Sequence, residues 1–280
     1  MKLSILHTFR NAIKHIACAC VVAGALTGTA HAQVTVAQNQ TAAALASALT
    51  GSGVLVLSPV LTCDTGANGL FTTAVDPIGV SNGIVLTSGS ASGIAAPAST
   101  FESIGHTPSL SDADLATLAG GTTNDACVLE FDFKAAGDTV KFDYVFASEE
   151  YPEFACSSFN DVFGFLISGG VTSPLTTYAT PYNIARVPGT NIPVCINSVN
   201  SAPTGTSYAI GTCNALGPGS PFGMYYVDNS ASTMLVYDGK TTVLRAIAAV
   251  SPCDTYHLKL GIADVGDNAY NSGVFIKGGS

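Results

Sequence analysis

Polar and apolar positions alternate with period two over much of this chain. Leu129, Phe131 and Phe133 point one way while Glu130 and Asp132 point the other, and Val140, Phe142, Tyr144 and Phe146 repeat the pattern opposite Lys141 and Asp143. Such alternation marks strands with one buried face. Ala135-Ala136-Gly137-Asp138 separates the two runs with turn chemistry, so they read as a β-hairpin. Further strands are expected at Asp161–Ser168, Met234–Tyr237, Thr242–Val250, Tyr256–Ile262 and Gly273–Lys277, and the apolar run Val54–Val60 is short enough for a buried strand. Only Thr41–Leu49 reads as a helix, ended by Gly51-Ser52-Gly53. Many strands, turn-rich connections and one short N-terminal helix predict an all-β, jelly-roll-like antiparallel β-sandwich. Residues 88–100 and 170–181 are rich in Gly, Ser, Thr, Ala and Pro and read as surface loops, and 197–222 is the least patterned stretch. Without an internal repeat or a linker-like shift in composition, residues 33–280 form one domain.

The first 32 residues carry a different signal. Lys2, Arg10 and Lys14 precede the apolar run Ile16–Leu26, and Ala30-His31-Ala32 places small residues at −3 and −1 of a cleavage site before Gln33. This is the layout of a Sec-type signal peptide, and the apolar run is too short to span a bilayer. No later apolar segment reaches bilayer length. Removal of the leader leaves seven Lys and Arg against nineteen Asp and Glu. That balance opposes nucleic acid and anionic membrane surfaces, which attract basic patches. At 47% hydrophobic residues the chain is far from a disordered composition.

Six cysteines follow the leader: Cys63, Cys127, Cys156, Cys195, Cys213 and Cys253. An even number in an exported chain favours disulfides, and six allow 15 pairings. Cys195 and Cys213 bracket a Ser/Thr/Gly/Pro-rich stretch and are the first candidates for a local bridge. The spacings match no zinc pattern.

Several stretches together resemble the choice-of-anchor L domain of bacterial exported proteins. They are Asn82–Gly89, Leu129–Phe133, Val145–Phe154 (VFASEEYPEF), Ser158–Phe165 (SFNDVFGF), Tyr237-Asp238-Gly239, Thr255–Leu260, Ile262–Asp267 and Ser272–Phe275. The resemblance covers most of residues 40–280. It implies an exported, surface-associated β domain whose members are named for the variety of sorting or anchoring signals that follow it. After Gly278-Gly279-Ser280 no apolar tail or sorting motif follows here. The expectation is therefore a released protein, or one whose anchor lies elsewhere or in a partner.

Acidic residues are sparse, which makes their clustering informative. Glu149, Glu150 and Glu153 follow one predicted strand, Asn160 and Asp161 precede the next, and Asp264, Asp267, Asn268 and Asn271 fill the loop between the last two. Strand ends and loops are where a rigid sandwich presents function. Carboxylates converging on one end repel unless they are protonated or neutralised, and hard oxygen ligands suit Ca²⁺. Glu149, Glu150, Asp161, Asp264 and Asp267 are therefore the candidate calcium ligands. EF-hand spacing is absent. The competing reading has Asp264 and Asp267 capping loop N–H groups and Glu149 and Glu150 facing opposite sides of a strand end.

Paired carboxylates, Glu149 or Glu150 with Asp161, also fit a secreted carbohydrate-active hydrolase. The chain has no Trp to stack on sugars; Tyr144, Tyr151 and Phe154 are the available rings, and alternating aromatics are more often core. There is no G-x-S-x-G elbow, His257 sits on a strand and His106 in a loop. The expectation is a non-enzymatic adhesion or matrix module stabilised by Ca²⁺, with an extracellular glycan or protein as partner. Self-assembly through an exposed strand edge is a further possibility.

Overall fold

The computed structural model describes residues 34–74, 76–202 and 208–279; the expected signal peptide lies outside them. In chain order the elements are β1 (Val34–Gln38), α1 (Ala42–Leu49), β2 (Val54–Thr62), β3 (Asn68–Thr73), β4 (Asn82–Thr87), α2 (Ala113–Ala119), β5 (Thr123–Ala135), β6 (Thr139–Ser148), β7 (Val162–Gly169), β8 (Tyr178–Asn183), α3 (Ile210–Asn214), β9 (Tyr226–Asp228), β10 (Gly239–Thr241), β11 (Leu244–Ala249), β12 (Tyr256–Val265) and β13 (Ser272–Lys277). They make two antiparallel sheets. One runs β1-β3-β4-β13-β6-β10-β9, with β11 also on β6, and the other β2-β5-β12-β7-β8. The all-β antiparallel sandwich and its N-terminal helix are as the alternation predicts.

The main core lies where the inward residues of both sheets meet. Phe131 and Phe133 of β5, Phe163 and Phe165 of β7, and Leu258 and Leu260 of β12 face Phe142, Tyr144 and Phe146 of β6 and Ile84 and Leu86 of β4. Rings interlock across the gap: Tyr144 lies 5.1 Å from Phe163, and Phe142 5.5 Å from Phe165. Such tilted pairs add roughly 0.5–1.5 kcal/mol beyond the area they bury. Tyr144 and Tyr151 are therefore core residues with no exposed face for a sugar.

Each sheet also carries a smaller apolar cluster on its outer face. On the larger sheet, Val85, Val145 and Phe275 lie under Leu235, Val236 and Tyr237. Met234–Tyr237, expected as a strand, is an irregular cover segment: Leu235, Val236 and Tyr237 are buried without a ladder of their own. On the smaller sheet, Val128, Ala263 and Val265 lie under Leu115 of α2. A helix can approach so closely because Gly164 and Gly261 face it; a Cβ on Gly164 would come within 2.8 Å of Leu118 Cδ1.

Two helices, α2 and α3, were not apparent from the apolar pattern, and β8 falls partly inside the expected loop 170–181. Helix α2 is defined by its ends rather than its face. Asp112 caps the N–H groups of Asp114 and Leu115, and Gly120 closes the C-terminus at φ +70°. The edges of the smaller sheet each carry a proline: Pro59 at the bulge of β2, and Pro181 in the exposed strand β8.

The disulfides are Cys63–Cys127 and Cys156–Cys213, with Cys195 free and buried and Cys253 free and exposed. The expected Cys195–Cys213 bridge does not form. Helix α3 packs on the segment after β6, with Ala209 N–H donating to Cys156 C=O, so Cys213 meets a cysteine 57 residues away. Proximity in sequence was the wrong guide.

Candidate functional site

At one end of the sandwich converge the end of β6, the start of β7, the end of β12 and the start of β13. Antiparallel pairing of β6 with β13 sets Ser148 opposite Ser272, and pairing of β12 with β7 sets Ala263 opposite Val162. The flanking residues Glu149, Glu150, Asp161 and Asp264 are thereby drawn together although up to 115 positions separate them. All four are at most 3% exposed.

Asp161 is the most fully tied. Its Oδ1 accepts from Val265 N–H at 2.9 Å and its Oδ2 lies 2.6 Å from Ser272 Oγ, which is itself 2.8 Å from Ser148 Oγ. Asp161 and Ser88 neighbour the Asp264 carboxyl, and Asn271 Nδ2 donates weakly to its Oδ2 at 3.4 Å. Asp264 Oδ1, Glu150 Oε2 and Glu149 Oε1 have no hydrogen-bond partner. Unpaired buried oxygens are costly as carboxylates and much less so when protonated or ion-bound.

The electrostatics follow. Burial lifts Glu149 to about 8, helped by the charges of Asp238 and Glu102. Burial also raises Glu150, with Asp161 and Asp267 adding repulsion. Asp161 and Asp264 are both pushed up, chiefly by burial, and in Asp264 further by its neighbour Asp161. The charges these four groups feel most strongly all come from other carboxylates.

The five expected ligands do not form one set. Glu150, Asp161 and Asp264 share a neighbourhood, whereas Glu149 faces Glu102 and Asp238 on the other side of the strand end. Alternation along an extended chain explains the split of Glu149 from Glu150. Asp267 stands in solvent, where its Oδ1 accepts from Ala269 N–H at 3.1 Å; for this residue the capping role is what forms. Among the described residues no three His, Cys, Asp or Glu side chains converge in a spacing ready to hold a metal ion.

Two acidic members escaped the sequence reading. Asp125 at the start of β5 is buried, accepts from His106 N–H at 3.1 Å and leaves Oδ1 unpaired. Glu102 accepts from Ser90 N–H and is raised by burial. Asp125 was detectable as a lone acid opening an apolar run, but nothing around Glu102 distinguishes it from a loop carboxylate. The two histidines among the described residues are elsewhere engaged: His257 lies between Asp132 (2.9 Å) and Glu130 (3.3 Å) on the outer face of the smaller sheet, and His106 Nε2 contacts Gly89 C=O at 3.3 Å.

The family model described as the choice-of-anchor L domain matches residues 33–280. Searches of curated proteins and of solved structures returned no match. No helix among the described residues is long and apolar enough to cross a membrane.

Proposed function

The chain belongs to the choice-of-anchor L family, whose members are exported, surface-associated modules, and on that premise we propose that it acts by adhesion or matrix contact, with Ca²⁺ bound among Glu150, Asp161 and Asp264 to fix the loops at one end. The observation that supports this reading is the pair of buried carboxylate oxygens without partners, Glu150 Oε2 and Asp264 Oδ1, in surroundings dominated by further carboxylates. Both oxygens of Asp161 already accept hydrogen bonds. Glu150 and Asp264 are therefore the primary ligands, with Asp161 holding the loop that carries it. Ca²⁺ takes six to eight oxygens, so hydroxyl, amide or water oxygens complete the set. Fixing these loops would preorganise the exposed rim, Glu153, Asp267 and Asn268 included, for an extracellular glycan or protein.

The hydrolase alternative needs acid and base carboxyls open to a sugar ring. Glu150 and Asp161 are each 1% exposed, which weighs against it.

Calorimetric titration of the chain from Gln33 onward with Ca²⁺ at pH 8 tests the reading, alongside Mg²⁺ and the Asp264→Asn variant. Saturable heat and a rise in melting temperature are expected for Ca²⁺ with the wild type, both lost in Asp264→Asn. A silent titration with an unmoved melting temperature would sink the calcium assignment.

A further inference from the structure

The rim that the acidic end presents to solvent is aromatic as well as acidic. Four rings from three loops form a continuous row there. Phe101, in the loop before α2, lies 4.9 Å from Tyr270 of the β12–β13 connection. Tyr270 lies 4.7 Å from Phe154, and Phe154 5.6 Å from Phe159, both in the β6–β7 connection. Hydrogen bonds fix two of the loops against each other: Tyr270 N–H donates to Ser103 Oγ at 3.1 Å, Asn271 N–H to Glu102 C=O at 3.2 Å, and Ile104 N–H to Asn271 Oδ1 at 2.6 Å. Phe159 ties in the third by lying against Gly266, where a Cβ would come within 3.3 Å of its ring. The row is held in place but not covered, since Phe101 is 62% exposed and the other three rings are half-buried. A single exposed ring needs no explanation; a contiguous row points to a partner.

Exposed carboxylates border this row. Glu153 precedes Phe154, and Asp267 follows the glycine that Phe159 touches. The charges of both are felt at buried Glu150, and that of Glu153 also at Glu149 and Asp238. No lysine or arginine is among the charges acting on Glu149, Glu150 or Asp238. We propose that this rim docks a lysine- or arginine-bearing segment of a partner protein, its cationic heads seated against the ring row and paired with Glu153 and Asp267. The proposal rests on the adhesive reading and supplies the partner's chemistry; it does not require Ca²⁺ among the deeper carboxylates. Charge complementarity selects the sign, because an acidic rim without its own cations repels anionic polymers. The rings select the head group. A cation is drawn to an aromatic face within about 6 Å of the ring centroid, and the arginine guanidinium also stacks on such faces. Ring planes at 74° for Phe101 and Tyr270, and at 85° for Phe154 and Phe159, make corners rather than a platform. Corners suit a compact head on an alkyl stem, whereas a sugar stacks on an open, flat face.

The test is calorimetric titration of the chain from Gln33 onward, in chelator and low salt, with an amidated octapeptide of alternating arginine and glycine. Saturable binding is expected, weakening as salt is raised because exposed charges are screened. Replacing arginine with citrulline keeps the shape, removes the charge and should weaken binding at least tenfold. Glu153→Gln combined with Asp267→Asn should also cost at least tenfold. Asp132→Asn combined with Asp138→Asn removes the same charge from the far part of β5 and the turn after it, and should change affinity less than twofold. Phe101→Leu, at an exposed position, keeps apolar bulk without the ring and should weaken binding at least threefold. Absence of saturable binding below millimolar concentration overturns the proposal, as does an equal loss in the two carboxylate pairs. Full affinity in Phe101→Leu overturns the ring contact, and tighter binding of a chitosan hexamer than of the peptide overturns the protein partner in favour of an amino-sugar polymer. Peptide binding beside a silent Ca²⁺ titration sinks the calcium assignment alone; Ca²⁺ heat without peptide binding sinks this proposal alone.

Discussion

Glu149 offers a test of the buried-carboxylate argument that is separate from metal binding, because it faces Glu102 and Asp238 rather than Asp161 and Asp264. Its carboxyl is 3% exposed and its folded pKa is lifted from 4.5 to about 8. For an acid raised in this way, the folded state prefers the proton. The favourable term is fully present below the unfolded value of 4.5 and is lost progressively as pH climbs to about 8. Over the interval from 4.5 to 7 the loss is at most about 3 kcal/mol, at 1.36 kcal/mol per unit. Glu149→Gln keeps the shape and removes the titration. Relative to the wild type, the variant should therefore gain stability as pH rises, by up to about 3 kcal/mol between pH 5 and 7. At roughly 2–4 °C per kcal/mol for a domain of this size, that is about 6–12 °C in relative Tm. Thermal unfolding of both proteins across pH 5–8, in chelator, measures it. A difference in Tm that stays constant across that range would refute the reasoning. A variant that loses stability relative to the wild type at pH 8 would mean that a positive partner holds the carboxylate.

Other outcomes follow from the packing and the cross-links. Cys213→Ser opens a loop of 57 residues, and the chain-entropy model puts the cost at about 4 kcal/mol; denaturant unfolding measures it, and Cys195→Ser should cost far less. Thiol titration of the chain from Gln33 onward should find one reactive group in the native protein, Cys253, and a second, Cys195, only after unfolding. Leu115→Ala removes the side chain that seats α2 on the smaller sheet and should cost about 2–5 kcal/mol, whereas Thr117→Ala on the outer side of that helix should cost under about 1 kcal/mol.

The parts of the fold that the sequence revealed are those in which a single rule decided the outcome. In β5, β6 and β12 the alternating stretches bury one face, so strand and inward residues could be read directly; the expected hairpin does not form, because β5 pairs with β2 and β12 in the smaller sheet and β6 with β13, β10 and β11 in the larger. Met234–Tyr237 failed because burial without pairing gives an apolar run that looks like a strand. Helix α2 failed for the opposite reason: its one buried leucine leaves little periodicity, and only the Asp112 and Gly120 caps announce it. At the acidic end, the convergence of Glu150, Asp161 and Asp264 was legible from their shared position at strand ends. The separation of Glu149 from that group followed from alternation alone. The pairing of Cys213 with Cys156 depended on where α3 docks, which no local pattern encodes.

The prolines on the two outermost strands of the smaller sheet have a consequence for contacts between copies. Each removes a main-chain donor where a neighbouring molecule would otherwise add a strand. On the larger sheet, the Gln40 amide already occupies the carbonyls of Ala37 and Gln38 beside β1. Copies that meet at these three edges would therefore touch through side chains and loops rather than through a shared ladder.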